Sequence, residues 1–121
     1  DIIRKYGLES KVMFSSFNHV SLLKVLELMP KAICGALLGK QGLGNAGYYC
    51  ANYGFACYHP GYPGLTKEAV AGCRDHGVLV NVWTINDIAG LEQIYDWGCH
   101  GVITNYPGMC REWLASKEKG V

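Results

Sequence analysis

Three observations predict that this chain folds as an α/β domain around a parallel sheet. Short apolar segments rich in β-branched residues alternate with segments of helical periodicity, with a repeat of roughly 25 residues. The apolar segments are nearly continuous rather than alternating with polar residues, which is typical of strands buried on both faces by covering helices. No linker or internal repeat divides the 121 residues, so we expect one domain.

The N-terminal third contains two predicted strands with a helix between them. Residues 12–17 form a short β-type segment, and Asn18 after it is suited to cap a helix. Pro30 ends that helix, and residues 32–38 form a second, almost wholly apolar strand. The helix has one apolar face, formed by Leu22, Val25, Leu26 and Met29.

The middle of the chain is rich in glycine, tyrosine and proline. Residues 39–47 are predicted as a glycine-rich loop, followed by a short helix at 48–53. Residues 55–58 form the third predicted strand. Two prolines and two glycines in residues 59–64 then indicate a turn-rich loop.

The C-terminal half contains the clearest signals. Thr66 caps a helix that ends at Gly77, and residues 78–84 form the fourth strand. The remaining predicted elements are a helix capped by Asn86 or Asp87 and ended by Gly98, a last strand at 102–104 and a final helix at 108–117. Five parallel strands fit either an open doubly wound sheet or part of a closed barrel, and periodicity does not decide between them.

Composition narrows the possible partners. The net charge is +1 and no basic stripe or block is present, so we expect no nucleic-acid binding. The longest apolar runs are far shorter than the ~20 residues that span a bilayer, so we expect no transmembrane segment. The six cysteines lie in apolar, periodic segments and none has the spacing of a zinc site, which favours reduced, mostly buried thiols in a cytoplasmic protein.

A glycine pattern after the second strand matches the fingerprint of dinucleotide-binding loops. Residues 42–47 read G-x-G-x-x-G. The acidic residue expected about 20 positions later is missing, because the first acid after the match is Glu68. A βα loop that simply turns tightly is the alternative to a cofactor site.

Candidate binding residues lie where strands are predicted to end. Trp83 and Asn86 follow the fourth strand, at the end where parallel α/β folds bind ligands. A core tryptophan followed by a helix cap explains them equally well. His59 opens the turn-rich loop, as a ligand, a base or a residue that hydrogen-bonds the loop backbone. No acid lies inside a predicted strand, so the chain offers no obvious catalytic set.

Three segments resemble one enzyme family. Phe14-Ser15-Ser16-Phe17 is similar to a strand end of the glycerophosphodiester phosphodiesterases. Val82-Trp83-Thr84-Ile85-Asn86 is similar to their V-W-T-V-N strand. The segment from Gly98 to Pro107 resembles their G-V-D-G-I-I-T-N-x-P ending, with His100 in place of the usual Asp. The order and spacing of the segments also fit, and the resemblance covers nearly the whole chain.

The resemblance implies a fold and also which part of the reaction this chain would support. The family fold is a (β/α)8 barrel, and residues 1–121 would be its C-terminal five βα units, strands 4–8, without strands 1–3. The parent enzyme would hydrolyse a small-molecule glycerophosphodiester to glycerol 3-phosphate and an alcohol. A divalent metal, Mg or Ca, and the catalytic histidines and carboxylates would lie outside this chain, so no catalytic or metal-ligating residue is carried over.

What the resemblance does carry over is the wall of a substrate pocket. Phe17 and Trp83 match the aromatic residues that flank the glycerol side of the pocket, and Ser16, Asn86 and Asn105 match further motif positions. The chain alone would be inactive and would complete its barrel with the missing N-terminal half. The alternative is a non-catalytic α/β module that self-associates through its open sheet edges or binds a small ligand.

Overall fold

The structure, a computed structural model, describes residues 12–39 and 42–119, without the side chains of the last two. Lys40 and Gln41 of the predicted glycine-rich loop therefore lie outside the described residues. The strands are β1 (Met13–Ser16), β2 (Ile33–Leu38), β3 (Cys57–Pro60), β4 (Leu79–Trp83) and β5 (Gly101–Ile103). The helices are α1 (His19–Leu28), α2 (Ala46–Tyr53), α3 (Lys67–Asp75), α4 (Ile88–Trp97) and α5 (Pro107–Lys119), with a 3-10 turn at Tyr62–Gly64.

The five strands form one sheet in the order β1-β2-β3-β4-β5, and every pair is parallel. A doubly wound sheet reverses its strand order at a switch point, and this sheet has no reversal. Strictly sequential parallel strands with a helix after each are the arrangement of a (β/α)8 barrel. The predicted fold, five consecutive βα units of such a barrel, is confirmed.

Alternate residues of each strand face opposite sides of the sheet. One side packs against the helices and holds the core, including Cys34, Ala36, Tyr58, Val80 and Val82. The register of the strands places Ser15, Gly35, His59, Asn81 and Trp83 on the other side, which we call the inner face. Met13, Leu79 and Ile103 also belong to the inner face and are 44–47% exposed. This face therefore presents apolar side chains that the described residues leave uncovered.

The predicted helix caps are confirmed at three helices. The side chains of Asn18, Thr66 and Asp87 accept hydrogen bonds from the backbone N–H groups of Ser21, Ala69 and Gly90. Each bond satisfies an amide that has no partner within its helix. Because α1, α3 and α4 begin directly after strands or short loops, these caps fix where the chain leaves the carboxyl end of the sheet.

The third strand lies two residues later than predicted. The prediction of a strand at 55–58 and a loop from His59 is wrong, because β3 continues through His59 and Pro60. Pro60 was interpreted as a loop residue because proline lacks an N–H for the sheet ladder. Pro60 is the last residue of β3. The next backbone N–H that bonds to β2 is that of Gly61, which donates to the carbonyl of Leu38. The shift places His59 on the inner face of the sheet.

The G-x-G-x-x-G pattern has a packing explanation. Gly42 adopts a positive φ of 65°, which favours glycine. Gly47 lies inside α2, where its backbone approaches Gly72 of α3 so closely that a Cβ would come within 2.5 Å of the Gly72 carbonyl carbon. Gly42 therefore permits a turn, and Gly47 permits a close helix–helix contact. The turn agrees with the loop interpretation of the pattern.

The cysteine side chains agree with the expectation of reduced, mostly buried thiols. All six cysteines are free thiols, and Cys34, Cys50, Cys57 and Cys73 are buried. Burial raises the pKa of Cys50 to about 12 and that of Cys73 to about 11, so both stay protonated at neutral pH. Among the described residues, no helix has the length and apolarity needed to cross a membrane.

Candidate functional site

A small pocket opens on the inner face at the carboxyl ends of the strands. It has a volume of about 300 Å³ and is lined by Ser15, Phe17, Leu37, Trp83, Thr84 and Ile103. These residues come from β1, β2, β4, β5 and the segments that follow them. In barrels of this type, ligands bind at the carboxyl ends of the strands, so this pocket is the first candidate for a functional site.

Phe17 and Trp83 form the aromatic wall of the pocket. Their ring centroids are 5.9 Å apart and the rings meet edge to face at 85°. Phe17 is 62% exposed and projects from the turn after β1. Trp83 is the last residue of β4 and is partly buried. The two aromatic residues predicted to flank one side of a pocket are therefore brought together there, 66 positions apart in sequence.

His59 lies beneath this wall and is only 2% exposed. Its Nδ1 atom is 2.7 Å from the hydroxyl oxygen of Ser15, and its Nε2 atom is 3.1 Å from the amide nitrogen of Asn81. These three side chains form a polar row across β1, β3 and β4. Both ring nitrogens are thus satisfied, as a buried imidazole requires.

The partners of His59 determine which ring nitrogen carries the proton. With the amide nitrogen of Asn81 oriented toward Nε2, the nitrogen donates and Nε2 accepts, unprotonated. A neutral imidazole then carries its proton on Nδ1 and donates it to Ser15 Oγ. Desolvation by burial lowers the pKa of His59 below its usual value near 6.5, which favours this neutral form.

Two glycines make room for the polar row. A Cβ at Gly35 would come within 2.5 Å of both ring nitrogens of His59. A Cβ at Gly101 would lie 3.2 Å from the amide carbon of Asn81 and closer still to its oxygen. The side chains of His59 and Asn81 therefore occupy the space that side chains on the neighbouring strands would otherwise fill.

The polar row also supports the aromatic wall. The indole N–H of Trp83 donates a 3.0 Å hydrogen bond to the backbone carbonyl of His59. This bond ties the end of β4 to β3 at the level of the pocket. The position of the Trp83 ring thus depends on the backbone of β3, which His59 anchors from the inner face.

The structure places Ser16 apart from the pocket lining. Its hydroxyl accepts a 3.0 Å hydrogen bond from the backbone N–H of Asn18, at the start of α1. Ser15, its neighbour, lines the pocket instead. Alternation along β1 explains the difference, because successive residues face opposite sides of a sheet. The prediction that Ser16 contacts a ligand stays a prediction.

Asn86 and Asn105 meet in the loops beside the pocket. The side-chain oxygen of Asn86 accepts hydrogen bonds from the Thr104 hydroxyl at 3.1 Å and from the backbone N–H of Asn105 at 3.0 Å. Asn86 thereby joins the loop after β4 to the loop after β5. Asn105 contributes its backbone to this contact, and its side chain is exposed.

His100 replaces the acidic residue expected in the last motif and takes part in a backbone contact. Its Nδ1 atom accepts a 3.2 Å hydrogen bond from the N–H of Val80, and its own N–H binds the Val80 carbonyl at 2.8 Å. This pairing lies at the start of β5, at the end of the sheet away from the pocket. His100 therefore has a structural role in joining β4 to β5.

The described residues offer no metal centre. They contain no group of three histidine, cysteine, aspartate or glutamate side chains that could hold an ion. Asp87 is the acid closest in sequence to the Trp83 end of β4, and its carboxylate is used to cap α4. The residues described here therefore do not fit a metal required for catalysis.

A second cavity of similar volume lies away from the strand ends. It is bounded by α4, β5 and α5 and lined mainly by apolar residues, including Leu91, Ile94, Tyr95, Trp113 and Leu114. Its walls are those of the layer between sheet and helices rather than of the inner face. Among the described residues that line it, His100 and Arg111 carry charged or titratable groups, and His100 is already bonded to the backbone of Val80.

Sequence reasoning missed Ser15 and Asn81 and left the role of His59 open. The signal for Ser15 and Asn81 was present in the strand alternation, since Trp83 and Asn81 are two residues apart and face the same side. The predicted end of β3 at residue 58, before His59, hid the corresponding position of His59. The contact between Ser15 and His59 spans 44 positions and has no local signal.

The chain matches known proteins over most of its length. The model of the glycerophosphoryl diester phosphodiesterase family matches residues 1–109. A glycerophosphodiester phosphodiesterase of Caldanaerobacter subterraneus subsp. tengcongensis is 33% identical over 105 residues, which cover 87% of this chain and 43% of that protein. A glycerophosphodiester phosphodiesterase of Bacillus subtilis is 33% identical over 116 residues, covering 89% of this chain and 38% of that protein.

Solved structures show the same fold. A glycerophosphodiester phosphodiesterase from Parabacteroides distasonis superposes with a TM-score of 0.87 at 24% identity, covering 97% of this chain and 48% of that one. A phosphodiesterase from Oleispira antarctica, solved with the product sn-glycerol-3-phosphate, superposes with a TM-score of 0.76 at 22% identity, covering 85% of this chain and 41% of that one. The chain spans less than half the length of these relatives. The family model matches most of the chain, residues 1–109, and the chain therefore belongs to the glycerophosphoryl diester phosphodiesterase family.

Proposed function

We propose that this chain is the C-terminal portion, strands 4–8, of a metal-dependent glycerophosphodiester phosphodiesterase, and that it supplies scaffold and pocket wall. The observation that carries the proposal is the aromatic pocket at the carboxyl ends of the strands, in a chain that the family model matches over residues 1–109. The named phosphodiesterase relatives, and one relative's complex with sn-glycerol-3-phosphate, support the substrate class.

In this proposal Phe17 and Trp83 contact the glycerol moiety of the substrate. The edge-to-face pair offers an apolar surface at the mouth of a pocket of about 300 Å³, large enough for a three-carbon unit. Ser16, Asn86 and Asn105 are proposed as further contacts near the wall. Asn86 and Asn105 are both exposed, and Asn105 is the better suited to reach a ligand because the side-chain oxygen of Asn86 is already held by Thr104 and the Asn105 N–H.

The reaction proposed for the whole enzyme is hydrolysis of a phosphodiester. Water adds its oxygen to phosphorus, the ester bond to the alcohol breaks, and the alcohol oxygen takes up a proton, leaving glycerol 3-phosphate. A bound divalent metal, Mg or Ca, would neutralise charge on the phosphoryl oxygens. Its ligands and the groups that transfer protons are proposed to lie outside this chain, and the described residues bind and orient substrate. The enzyme would act in glycerol and lipid metabolism.

The sheet edges support the proposal of a missing half-barrel. In the described part of the chain, β1 and β5 each pair on one side only. Unpaired strand edges and the exposed side chains of Met13 and Ile103 favour further strands completing the barrel. The free thiols fit a reducing compartment, and a cytoplasmic location is proposed on that basis.

The same edges favour one other candidate function. Two copies of the chain pairing through β1 and β5 would also cover the inner face and give a non-catalytic or ligand-binding assembly. Sedimentation of the purified 121-residue chain distinguishes the two. A stable, folded dimer without phosphodiesterase activity in any longer form favours the self-associating module.

The proposal is tested by measuring release of glycerol 3-phosphate from glycerophosphocholine. The protein expressed from its complete reading frame should release it only with divalent metal present, and a chelator should abolish the release. Residues 1–121 alone should show none. Metal-dependent turnover by these residues alone would contradict the placement of the catalytic groups, and an inactive complete protein would contradict the proposed function.

A further inference from the structure

The pocket wall contains two polar side chains among its described lining residues, Ser15 and Thr84. Ser15 has a partner beneath the pocket, the buried imidazole of His59, at 2.7 Å. Ser15 thus stands between the polar row of the inner face and the space enclosed by Phe17 and Trp83. The remaining lining residues are apolar or aromatic, so Ser15 has a distinct chemical role in this wall.

The direction of the hydrogen bonds gives Ser15 a specific function. Asn81 donates to His59 Nε2, so the imidazole proton is on Nδ1 and is donated to Ser15 Oγ. The serine oxygen uses one lone pair to accept that proton. Its own hydroxyl hydrogen is then free to point away from His59, toward the pocket.

We propose that Ser15 is a specificity-determining hydrogen-bond donor of this pocket, and that His59 is the positioning residue that holds its hydroxyl in the donating orientation. The acceptor is a neutral oxygen on the glycerol moiety of the diester. This inference rests on the proposed function and adds to it the group that distinguishes glycerol from a plain alkyl chain.

The chemistry of the wall favours a hydroxyl oxygen over a phosphoryl oxygen. No described residue that lines the pocket is a cation, and a phosphoryl group would need charge neutralisation there. Neutral hydroxyl donors beside apolar and aromatic side chains are suited to an uncharged oxygen on a hydrocarbon backbone, and of the two lining hydroxyls Ser15 is the one held by His59. A substrate without that oxygen would leave nothing for Ser15 to bind.

The position of Ser15 is fixed by its surroundings. His59 is 2% exposed, its ring lies over Gly35, and both ring nitrogens are held. The imidazole therefore has little freedom to turn. A donor fixed before the substrate arrives loses little conformational entropy on binding, which is how preorganised groups contribute to specificity.

The first experiment compares two substrates in the protein from the complete reading frame. Glycerophosphocholine carries the glycerol hydroxyls, and propyl phosphocholine lacks them. Ser15→Ala should lower kcat/KM for glycerophosphocholine about tenfold, mainly through KM, and leave the value for propyl phosphocholine unchanged. Ser21→Ala removes an exposed hydroxyl on α1, outside the pocket, and should change neither value.

The second experiment tests the role of His59 by NMR in the wild-type protein and by substrate preference in two variants. Ring-nitrogen chemical shifts of His59 in the wild-type protein, measured by NMR near pH 7.5, should report the Nδ1–H tautomer. His59→Asn keeps an amide nitrogen close to the position of Nδ1, whereas His59→Leu has no donor. The Asn variant should therefore retain more of the preference for glycerophosphocholine over propyl phosphocholine than the Leu variant.

The outcomes separate the inference from the function on which it rests. An equal loss for both substrates in Ser15→Ala, or no loss, would overturn the donor role while the enzyme remains a phosphodiesterase. An Nε2–H tautomer would make Nδ1 the acceptor of the Ser15 hydroxyl, and would overturn both the positioning role of His59 and the donor role of Ser15. Failure of the wild-type protein to hydrolyse either diester would overturn the proposed function together with this inference.

Discussion

Gly35 of β2 lies directly against the imidazole of His59 on β3. A Cβ at position 35 would come within 2.5 Å of both ring nitrogens, and His59 is buried with both nitrogens in hydrogen bonds. The imidazole of His59 fits against β2 because residue 35 has no side chain. It accounts for a glycine inside a buried strand, where glycine normally weakens the structure.

Gly35→Ala should destabilise the protein by about 2 kcal/mol, because the added methyl group has to displace a fixed, buried ring. The free energy of unfolding from urea denaturation measures this. Gly44→Ala is the matched control, since a Cβ there meets nothing within 4 Å and should cost little. Equal stability of the two variants would show that the His59 ring moves freely, contrary to the account.

Gly47→Ala should also be destabilising, by roughly 2–3 kcal/mol, because the backbone of α3 stands in the way of its methyl group. Gly72→Ala, on the partner helix, meets nothing within 4 Å and should be neutral or stabilising by up to about 1 kcal/mol. Thermal unfolding of the two variants measures the difference. Retained stability in Gly47→Ala would weaken the packing explanation of the glycine pattern and revive the cofactor interpretation.

Stability should fall as the pH drops below about 6.5, through His59. Burial lowers the pKa of His59 in the folded protein, so the unfolded chain takes up a proton first. The stabilisation from the neutral imidazole is fully present above the pKa of His59 in the unfolded chain. It is lost as the pH falls from that pKa through the lower pKa of the folded protein. Urea midpoints at about pH 7.5 and 5.5 measure it.

His59→Asn is the control for this pH dependence, because asparagine does not titrate. Its urea midpoint should change less between the two pH values than that of the wild-type protein. The partners of His59, Ser15 and Asn81, do not ionise in this range, so the difference belongs to the imidazole. An identical pH dependence in both proteins would contradict the lowered pKa.

Asn86→Ala should destabilise the protein by about 1–2 kcal/mol, because the Thr104 hydroxyl and the Asn105 N–H lose their acceptor. Asn105→Ala leaves that backbone contact in place and should have little effect on unfolding. If Asn105 touches substrate as proposed, its variant should instead raise KM. Unfolding free energies and steady-state kinetics together assign the two roles, and a stability loss confined to Asn105→Ala would reverse them.

The sequence predicted the parallel sheet and the helix caps well because those signals are local. Asn18, Thr66 and Asp87 each act within three residues of the amide that they cap. The apolar composition of the strands by itself predicts that they are buried. The placement of Phe17 and Trp83 at one pocket followed from a motif resemblance and agrees with the observed contact.

The polar row was not predictable in the same way. The proline after His59 indicated a loop, although a proline at the last position of a strand breaks no ladder hydrogen bond. The contacts of His59 with Ser15 and Asn81 join residues 44 and 22 positions apart. They depend on strand register and on the space left by Gly35, and periodicity specifies neither of these to within one residue.

The kinetics of Phe17→Ala test most directly whether this chain supplies the substrate wall of a phosphodiesterase. Phe17 is 62% exposed, so its removal should leave the unfolding free energy nearly unchanged. In the protein from the complete reading frame, KM for glycerophosphocholine should rise about tenfold, because the glycerol loses an apolar surface, while kcat changes little. Unchanged KM and kcat in a stably folded Phe17→Ala variant would contradict the account.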